Sequence, residues 1–592
     1  MNGTPSRVLS DSAAIAMALA SFAAATVGWS IAVWIPLVGV VIALVLRRPL
    51  LLVIAVVVLA AALGARSDRA LALHVREREV RSWVTVVRDP EQFGVATRLD
   101  VRLGRTRLEV NAYSAPARAM SGLLVGERVE IVGTVRPRLA YAPWLDQRHV
   151  IGRLDVREVL DTRSAAWPYS WANTLRRTLH RGASSLGHEH RGLFTGFVYG
   201  DDRDQPSIIA DDFRGSGLGH LLAVSGANVA FVAALLAPLF KRLDFRLRFV
   251  ALSTSLAFFA LVTRFEPSVL RAIVMASIAG LAAAMGRTVS MRRVIALTCT
   301  VLVLVDPVIA RSVGFQLSLL ATAGIVELAP SIASRLPGPR WLALAASVTI
   351  AAQIAVAPVE VARFGGMPLA ALPANILAAP AAGPIMMWGL TAGLIAGIAG
   401  GPIATIVHLP THALVWWVAG VARAAARAPF GELRTRHLLV LLTAAGIYAL
   451  TRSVTGRRLA VVLAVVALAH PPVTFGHLAA GEHALANGIT VLRGADGTTV
   501  LTIHDTARAR STLEALRRHG VRRVSLLVAT DGGRASGEVV RALRSRLSIG
   551  EIWAPSLHQI RGARTPPLGS YRVGMFEIAV TSTTAPMETR PV

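Results

Sequence analysis

The residues best placed to do chemistry inside a membrane lie in Gly217–Val229, which reads GLGHLLAVSGANV and opens an apolar run continuing to Phe240. At mid-bilayer, charged side chains cost roughly 2.5–3.5 kcal/mol, and polar groups are tolerated where they face protein or a water-filled path. On one continuous helix, Asn228 stands two turns on from His220, roughly 80° around. Both then border one cavity, with Ser225 nearer the opposite side. Arg264, Arg271, Gln316, Gln353 and Asn375 are further polar groups in apolar surroundings. With His220, Ser225 and Asn228 they form a candidate translocation set. Gly226 and Ser318 read as packing residues, because small side chains let membrane helices approach closely.

Hydrolytic chemistry finds few residues to work with. His504-Asp505 is an adjacent pair at a strand end and Asp531 stands alone at another, which is not a ligand set. His470, His477 and His483 fall in a linker without metal-ligand spacing. The single cysteine, Cys299, sits in an apolar run, so no internal disulfide or cysteine metal site is available. No GxxxxGK[ST] loop occurs, so no nucleotide-binding site is expected. The expectation is a protein with no catalytic residues, no metal and no cofactor.

The elements that must hold these residues are mostly membrane-length helices. Hydrophobic residues make up 54% of 592, and the mean hydropathy is +0.54, which excludes an ordinary soluble protein. Three apolar segments fill 12–65, and ten more runs follow between 220 and 470. Pro358, Pro368, Pro373, Pro380 and Pro384 crowd one region, where a broken or re-entrant segment is expected. Ahead of that core, Trp167, Trp171, Leu175 and Leu179 recur at helical spacing opposite Arg176, Arg177 and Arg181. That pattern predicts a helix lying in the interface plane.

Two stretches differ. Residues 75–160 alternate with period two and are punctuated by Gly and Pro, predicting five strands and an OB-like barrel. Arg98, Arg102, Arg105, Arg107, Arg136 and Arg138 are interleaved there with Trp83, Phe93, Tyr113, Tyr141 and Trp144. Cations that track phosphates and aromatics that stack on bases make a single-strand binding surface. Arg98, Arg102, Trp83 and Tyr113 are its candidates. The alternative is that the arginines solvate the outer face and the aromatics fill the barrel. Residues 487–580 return to αβ patterning, with strands at Ile489–Leu492, Val500–Ile503, Val524–Val528 and Glu551–Trp553 and helices at Ala507–Arg518 and Glu538–Leu547.

The formal charge is +27, nearly all from arginine, with Lys241 the one lysine. Such a balance suits a polyanionic partner and also serves membrane topology.

A series of short motifs carries a resemblance. Tyr199-Gly200-Asp201-Asp202-Arg203 precedes His220–Gly226 (HLLAVSG). Pro267–Ala272 (PSVLRA), Asp306-Pro307 and Gly314–Ser318 (GFQLS) follow, and then Gln353, Pro358, Phe364-Gly365 and Asn375. In this order the set resembles the ComEC family of competence DNA-internalisation proteins, although Asn228 stands where many members carry a second histidine. The resemblance implies an inner-membrane channel that takes up single-stranded DNA during natural transformation. It also implies three early spans, an OB-like insert and a C-terminal metallo-β-lactamase-like domain. Members commonly carry an HxHxDH cluster in that last domain. Here the matching strand, Val524–Val528, runs into Ala529–Ser536 without a histidine. The block therefore reads as a shortened, metal-free relic.

The fold class expected is a polytopic α-helical membrane protein with an OB-like β-barrel insert and a truncated metallo-β-lactamase-like αβ C-terminal domain. Its parts are N-terminal transmembrane helices over 1–74, an OB-like extracytoplasmic domain over 75–162, a competence-type channel over 163–475, and the degenerate domain over 487–592. The expected setting is the bacterial inner membrane, crossed several times. Single-stranded DNA is the expected cargo, with an extracytoplasmic DNA receptor and a cytoplasmic DNA-pulling ATPase or helicase as partners. A homo-oligomer is compatible with the sequence. A membrane-bound nuclease and a diverged transporter of another anionic solute are the alternative functions. Arg47-Arg48, Lys241-Arg242, Arg287, Arg292-Arg293, Arg335 and Arg340 fall inside if the insert and the last block face outside. The loop with Arg423, Arg427, Arg434 and Arg436 then falls outside, against that bias.

Overall fold

A computed structural model describes residues 10–93, 96–138, 143–451, 453–474, 478–555, 560–584 and 587–591. The chain starts with three apolar helices: α1 (Asp11–Val27), α2 (Trp34–Val45) and α3 (Pro49–Leu71). The Ser10 hydroxyl caps α1 by accepting from the Ala13 amide, and Pro49 starts α3 where no donor is needed. A Cβ on Gly64 of α3 would come 2.3 Å from the Ala25 carbonyl oxygen of α1, so that glycine sets a very close helix approach.

The insert is a closed barrel. Its strands are β1 (Arg78–Val86), β2 (Glu91–Phe93), β3 (Ala96–Leu103), β4 (Thr106–Ala112), β5 (Arg128–Pro137) and β6 (Val150–Arg163). The sheet runs β1-β5-β6-β4-β3-β2, and β1 also pairs with β3, at Thr85↔Arg102 and Val86↔Val101. Five strands therefore form a ring in which only β4 and β6 run parallel. Alternate residues fill it: Val84, Val86, Leu99, Val101, Leu108, Val110, Val129, Ile131 and Leu154. Helix α4 (Ser114–Met120), between the third and fourth of these strands, adds Ala117 and Met120 to that core. A short helix, α5 (Pro143–Asp146), precedes β6.

Then come α6 (Tyr169–Gly182), α7 (Gly187–Tyr199), α8 (Ser207–Gly215), α9 (Gly226–Leu236), α10 (Phe245–Val262), α11 (Pro267–Ala284), α12 (Met291–Val305), α13 (Val313–Ala333) and α14 (Arg340–Phe364). A two-residue strand, β7 (Met367–Pro368), pairs with β8 (Glu432–Leu433), and between them lie α15 (Ala371–Ala399), α16 (Gly401–Val407) and α17 (Leu409–Arg427). Helices α18 (Thr435–Leu450) and α19 (Val454–Thr474) close the core. Among the described residues seven helices are long and apolar enough to cross a membrane, or eight if the bent α16–α17 pair is one span. That content fits a polytopic helical protein with β-domains. Helices α1 and α2, at 17 and 12 residues, are apolar but shorter than the threefold N-terminal crossing expected from sequence.

The expected break at the prolines is elsewhere. Helix α15 runs unbroken for 29 residues through Pro380 and Pro384, and α14 runs through Pro358. The chain bends instead by 52° at His408, between α16 and α17.

The last block holds β9 (Gly481–Ala486), β10 (Ile489–Arg493), β11 (Thr499–Ile503), α20 (Ala509–Arg518), β12 (Arg523–Ala529), α21 (Arg534–Arg544) and β13 (Ser548–Trp553). A second sheet follows, of β14 (Gly569–Val573), β15 (Phe576–Val580) and β16 (Thr589–Pro591). The first sheet is ordered β13-β12-β11-β10-β9, parallel from β11 to β13. Its two faces bury different partners. Leu513, Leu516, Val540 and Leu543 of the helices pack with Val491, Leu501 and Leu527. Ile578 and Val580 of the second sheet pack with Val500, Leu526 and Val528.

By packing, the chain divides into two units. One comprises Met1–Arg203, His220–Arg363 and Ala379–Val415, and the other Asp204–Gly219, Phe364–Ala378 and Trp416–Val592.

Candidate functional site

The signature segment is not one helix. Gly219–Leu221 is a single 3-10 turn, and α9 starts only at Gly226 with Ser225 as its extended N-cap. The helical geometry that placed Asn228 near His220 and Ser225 opposite is therefore corrected. The Ser225 hydroxyl donates to Asn228 Oδ1 at 3.1 Å, and Asn228 Nδ2 donates to the Phe197 carbonyl at 3.0 Å. Residues Leu222 to Ser225 break the repeat, so His220 stands exposed in a separate turn.

Arg271 is drawn to the same place from α11. Its Nε donates to Ser318 Oγ of α13 at 2.8 Å, and its Nη1 approaches Met275 Sδ at 3.1 Å. A Cβ on Gly226 would lie 2.5 Å from Arg271 Nη2, so the glycine leaves room for the guanidinium at the start of α9. Arg271 is 8% exposed, and among the described residues no carboxylate pairs with it. Gln316 turns to its own chain, donating to Ala310 O at 2.8 Å. Asn375 bonds Ala371 O within α15. Gln353 Nε2 is buried without a partner among the described residues. Ser225, Asn228 and Arg271 are thus brought together, while Gln316 and Asn375 serve local backbone.

A second cluster joins the barrel to the core, and sequence reasoning missed most of it. Asp89, after β1, accepts from Arg176 Nη2 at 3.0 Å, from Arg264 Nε at 2.9 Å and from the Val125 amide at 2.9 Å. Arg176 also reaches Asp201 at 2.9 Å and the Val262 carbonyl at 2.7 Å, and it covers the Tyr199 ring at 4.6 Å. Arg203 grips Asp201 with two donors, at 2.7 and 2.6 Å. Asn173 donates to Val125 O and accepts from Arg264 Nη2. Arg264 and Phe265 both hold left-handed backbone, φ 59° and 57°, a strained turn that aims Arg264 at Asp89.

This corrects the reading of α6 at one residue. The Arg176 side chain is 4% exposed, whereas Trp167 and Trp171 are 72% and 65% exposed. Of the three arginines Arg176 alone is buried, because two carboxylates wait for it, while Arg177 and Arg181 stay exposed and Leu179 is buried from the apolar side. The tryptophans face outward, where an interfacial belt places them. The signal lay in Asn173 and Arg176 falling among Ala172, Leu179 and Ala183, a stripe of small and apolar residues.

Burial pushes the Asp201 carboxyl up, but the bonds and charges of Arg203 and Arg176 outweigh it and hold its pKa well below the ordinary range. Asp89 is likewise raised by burial and lowered more by Arg176, Arg264 and Arg203, ending below its ordinary value. Both are ionised at neutral pH.

On the barrel, aliphatic residues fill the interior and the candidate aromatics lie outside. Trp83 is half-buried beneath Arg163, 4.2 Å from its ring centre, with Arg128 at 5.8 Å. Tyr113 is exposed beyond the other end of β4, so the two rings form no continuous platform. Phe93's side chain and Tyr141 lie outside the described residues. Arg98 bonds Asn111 and pairs with Glu109, Arg136 with Glu77 and Asp155, and Arg138 with Asp146. Arg102 and Arg105 are exposed and carry no ion pair among the described residues. If the barrel binds a strand, its affinity should follow salt with a log–log slope of about −0.7 per phosphate contact. Arg102→Ala should flatten that slope and Arg98→Ala should do so less, as titrations of the full chain in detergent would show. A slope unchanged by Arg102→Ala would return Arg102 to the solvated surface.

In the last block, His504 and Asp505 are exposed, and His504 Nδ1 lies 3.4 Å from Thr530 Oγ1. Asp531 accepts from the Ser536 hydroxyl. His470 bonds His437, and His477 lies outside the described residues. Among the described residues no three His, Cys, Asp or Glu side chains are placed to hold a metal.

Fold and site together define a membrane protein in which apolar helices carry a small closed barrel and a terminal αβ layer structure. Residues 197–468, a little under half of the chain, match the family model described as Competence: Competence protein, which supports assignment to the ComEC-type family that its motifs resemble. Over 201 residues it is 26% identical to a protein of Escherichia coli (strain K12) named "Uncharacterized protein YcaI". That match takes in 32% of this chain and 27% of the other, so the aligned part spans about a quarter of the curated relative. No solved structure matches.

Proposed function

We propose that the chain is a multi-pass inner-membrane channel that takes up single-stranded DNA during competence. One observation carries this reading. Arg271 is a buried guanidinium within the family-matched segment, set against the signature turn, and no carboxylate neutralises it among the described residues. A desolvated cation without a counter-ion favours an anionic cargo, and phosphate oxygens suit the guanidinium's donor fork.

The barrel supports the same reading. A five-stranded ring with one parallel pair and a helix between its third and fourth strands is OB-like, and such barrels bind single strands. The last block, a mixed sheet between helices and a second sheet, is read as the part of a metallo-β-lactamase-like sandwich that remains, and we assign it no catalysis. Energy then comes from a cytoplasmic DNA-pulling ATPase or helicase, or from the membrane potential, and capture falls to an extracytoplasmic receptor. Labelled-DNA uptake in a clean deletion strain, complemented with the whole chain or a chain lacking residues 75–162, tests this. Both the deletion strain and the barrel-less chain should fail. Uptake by the barrel-less chain, or a small anion transported in its place, would overturn it.

The reading puts the barrel and last block outside. Two turns of equal parity meet the barrel: Arg264 follows α10, and Asp306, which bonds His149, follows α12. At the other helix ends Asp11 binds Arg293 and Ser290, in the arginine-rich set that belongs inside. Arg427 and Glu432, in the loop that defied the charge bias, take bonds from Arg522 and Arg517 of the last block. These bonds tie the loop to the last block, and its four arginines still run against the charge bias. Ala115 is exposed. Ala115→Cys in a Cys299→Ala background should react with an impermeant thiol reagent in intact spheroplasts. Reaction only after permeabilisation would reverse the topology.

A further inference from the structure

We propose that Arg517 and Arg546 of the C-terminal block are positioning residues for uptake, clamping the helix that leads into the signature turn. The inference rests on the uptake reading and gives the C-terminal block a mechanical task.

Helix α8 ends four residues before Gly219, and its Asp211 and Asp212 are nearly fully buried. Arg517 Nε binds Asp211 at 3.2 Å, while its Nη1 binds Glu432 at 3.3 Å. Arg546 binds Asp212 and donates to the Ile208 carbonyl at 3.0 Å. Arg214 and Glu514 add a looser pair at 3.5 Å. The clamp therefore grips one short helix at two neighbouring carboxylates in its middle and at the Ile208 carbonyl in its first turn.

The glycines show how closely it is gripped. A Cβ on Gly215 would lie 2.8–2.9 Å from Nε, Cδ and Cζ of Arg517, so the guanidinium lies across bare backbone. Gly217, at φ 72°, would put a Cβ 2.3 Å from the Ala371 methyl. The segment is thus held from one side by Arg517 and met by the start of α15. It then runs directly into His220. An exposed ion pair would contribute little, but these side chains are only 5–15% exposed, and removing one partner leaves a buried charge uncompensated.

Gly219 tolerates a side chain, since its nearest neighbour to an added Cβ is 3.8 Å away. The test uses Gly219→Cys in a Cys299→Ala full-length chain, with thiol-labelling rate and DNA uptake read together at measured membrane abundance. Arg546→Asp should raise the labelling rate and lower uptake, each on the order of tenfold. Asp212→Arg should do the same, and the two together should restore both. Arg517→Lys, which keeps charge but loses the flat plane over Gly215, should fall between. Unchanged uptake in Arg546→Asp, or a charge swap that restores neither readout, would overturn the clamp. If the parent chain took up no DNA, the uptake reading would fall, while labelling and its rescue would still decide the clamp.

Discussion

Asp89→Ala is expected to detach the barrel from the membrane core and eliminate DNA uptake. The carboxylate is the shared counter-ion of Arg176 and Arg264, and its other oxygen holds the Val125 amide. Deleting one member of a buried ion network costs about 3–5 kcal/mol, because the partners keep their charge without compensation. Protease sensitivity between residues 160 and 170 should rise, and thermal unfolding in detergent should move down. Arg264→Met should do less harm, since Arg176 still reaches both Asp89 and Asp201. Acid should mimic the lesion. Asp89 and Asp201 are held below their ordinary pKa, so each adds stability above the unfolded value, near pH 4. That contribution fades as pH falls from there through the folded values, and it is constant from pH 5 upward. A barrel released between pH 6 and 8, or an Asp89→Ala chain as stable as its parent, would refute this account of the junction.

The sequence made the strands of the barrel readable because period two is strong there. Leu99, Val101, Leu108 and Val110 alternate with charged residues, and one register buries them all. The last block was readable for β10 to β13 and for its helices, but β9 and the second sheet were missed. Gly569–Val573 and Gly481–Ala486 show little apolar alternation of their own and take their order from packing, whereas Phe576–Val580 does alternate, with Phe576, Ile578 and Val580 on one face. The site was harder. Arg271 declared itself by cost, whereas Arg176 looked like the solvated face of α6 because its partners lie 87 residues before it, at Asp89, and beyond it at Asp201. Periodicity reports which face is apolar, and it cannot report that a distant carboxylate has drawn one residue of the polar face into the core. The signature turn failed for a local reason: Gly217, Gly219 and Gly226 sit where a helix was drawn, and the chain uses that freedom to turn before α9 begins.

Arg271→Ala is expected to abolish transformation while the chain still inserts, and the last block's candidate ligands should be dispensable. The guanidinium has five donors, and Ser318 and the Met275 sulfur meet only part of that capacity. If the rest serves passing phosphates, removing it removes the guanidinium that stands against the signature turn. Arg271→Lys should retain a fraction of uptake, since a point charge still attracts phosphate but cannot fork across two oxygens. Gly226→Ala should be milder than Arg271→Ala, because the crowding atom is the mobile end of the arginine. Ser318→Ala should be mild too, costing one hydrogen bond of about 0.5–1.5 kcal/mol. His504→Ala and Asp531→Ala should transform at the parental rate, as a two-metal phosphodiesterase needs several converging ligands and these side chains engage Thr530 and Ser536 among the described residues. The assay counts transformants per cell at matched membrane abundance, with labelled DNA followed into the cytoplasm. Normal uptake by Arg271→Ala would remove the cation from the path. Loss of uptake in Asp531→Ala, with stoichiometric zinc or manganese bound by the full chain and DNA cut, would instead put a nuclease at the C-terminus.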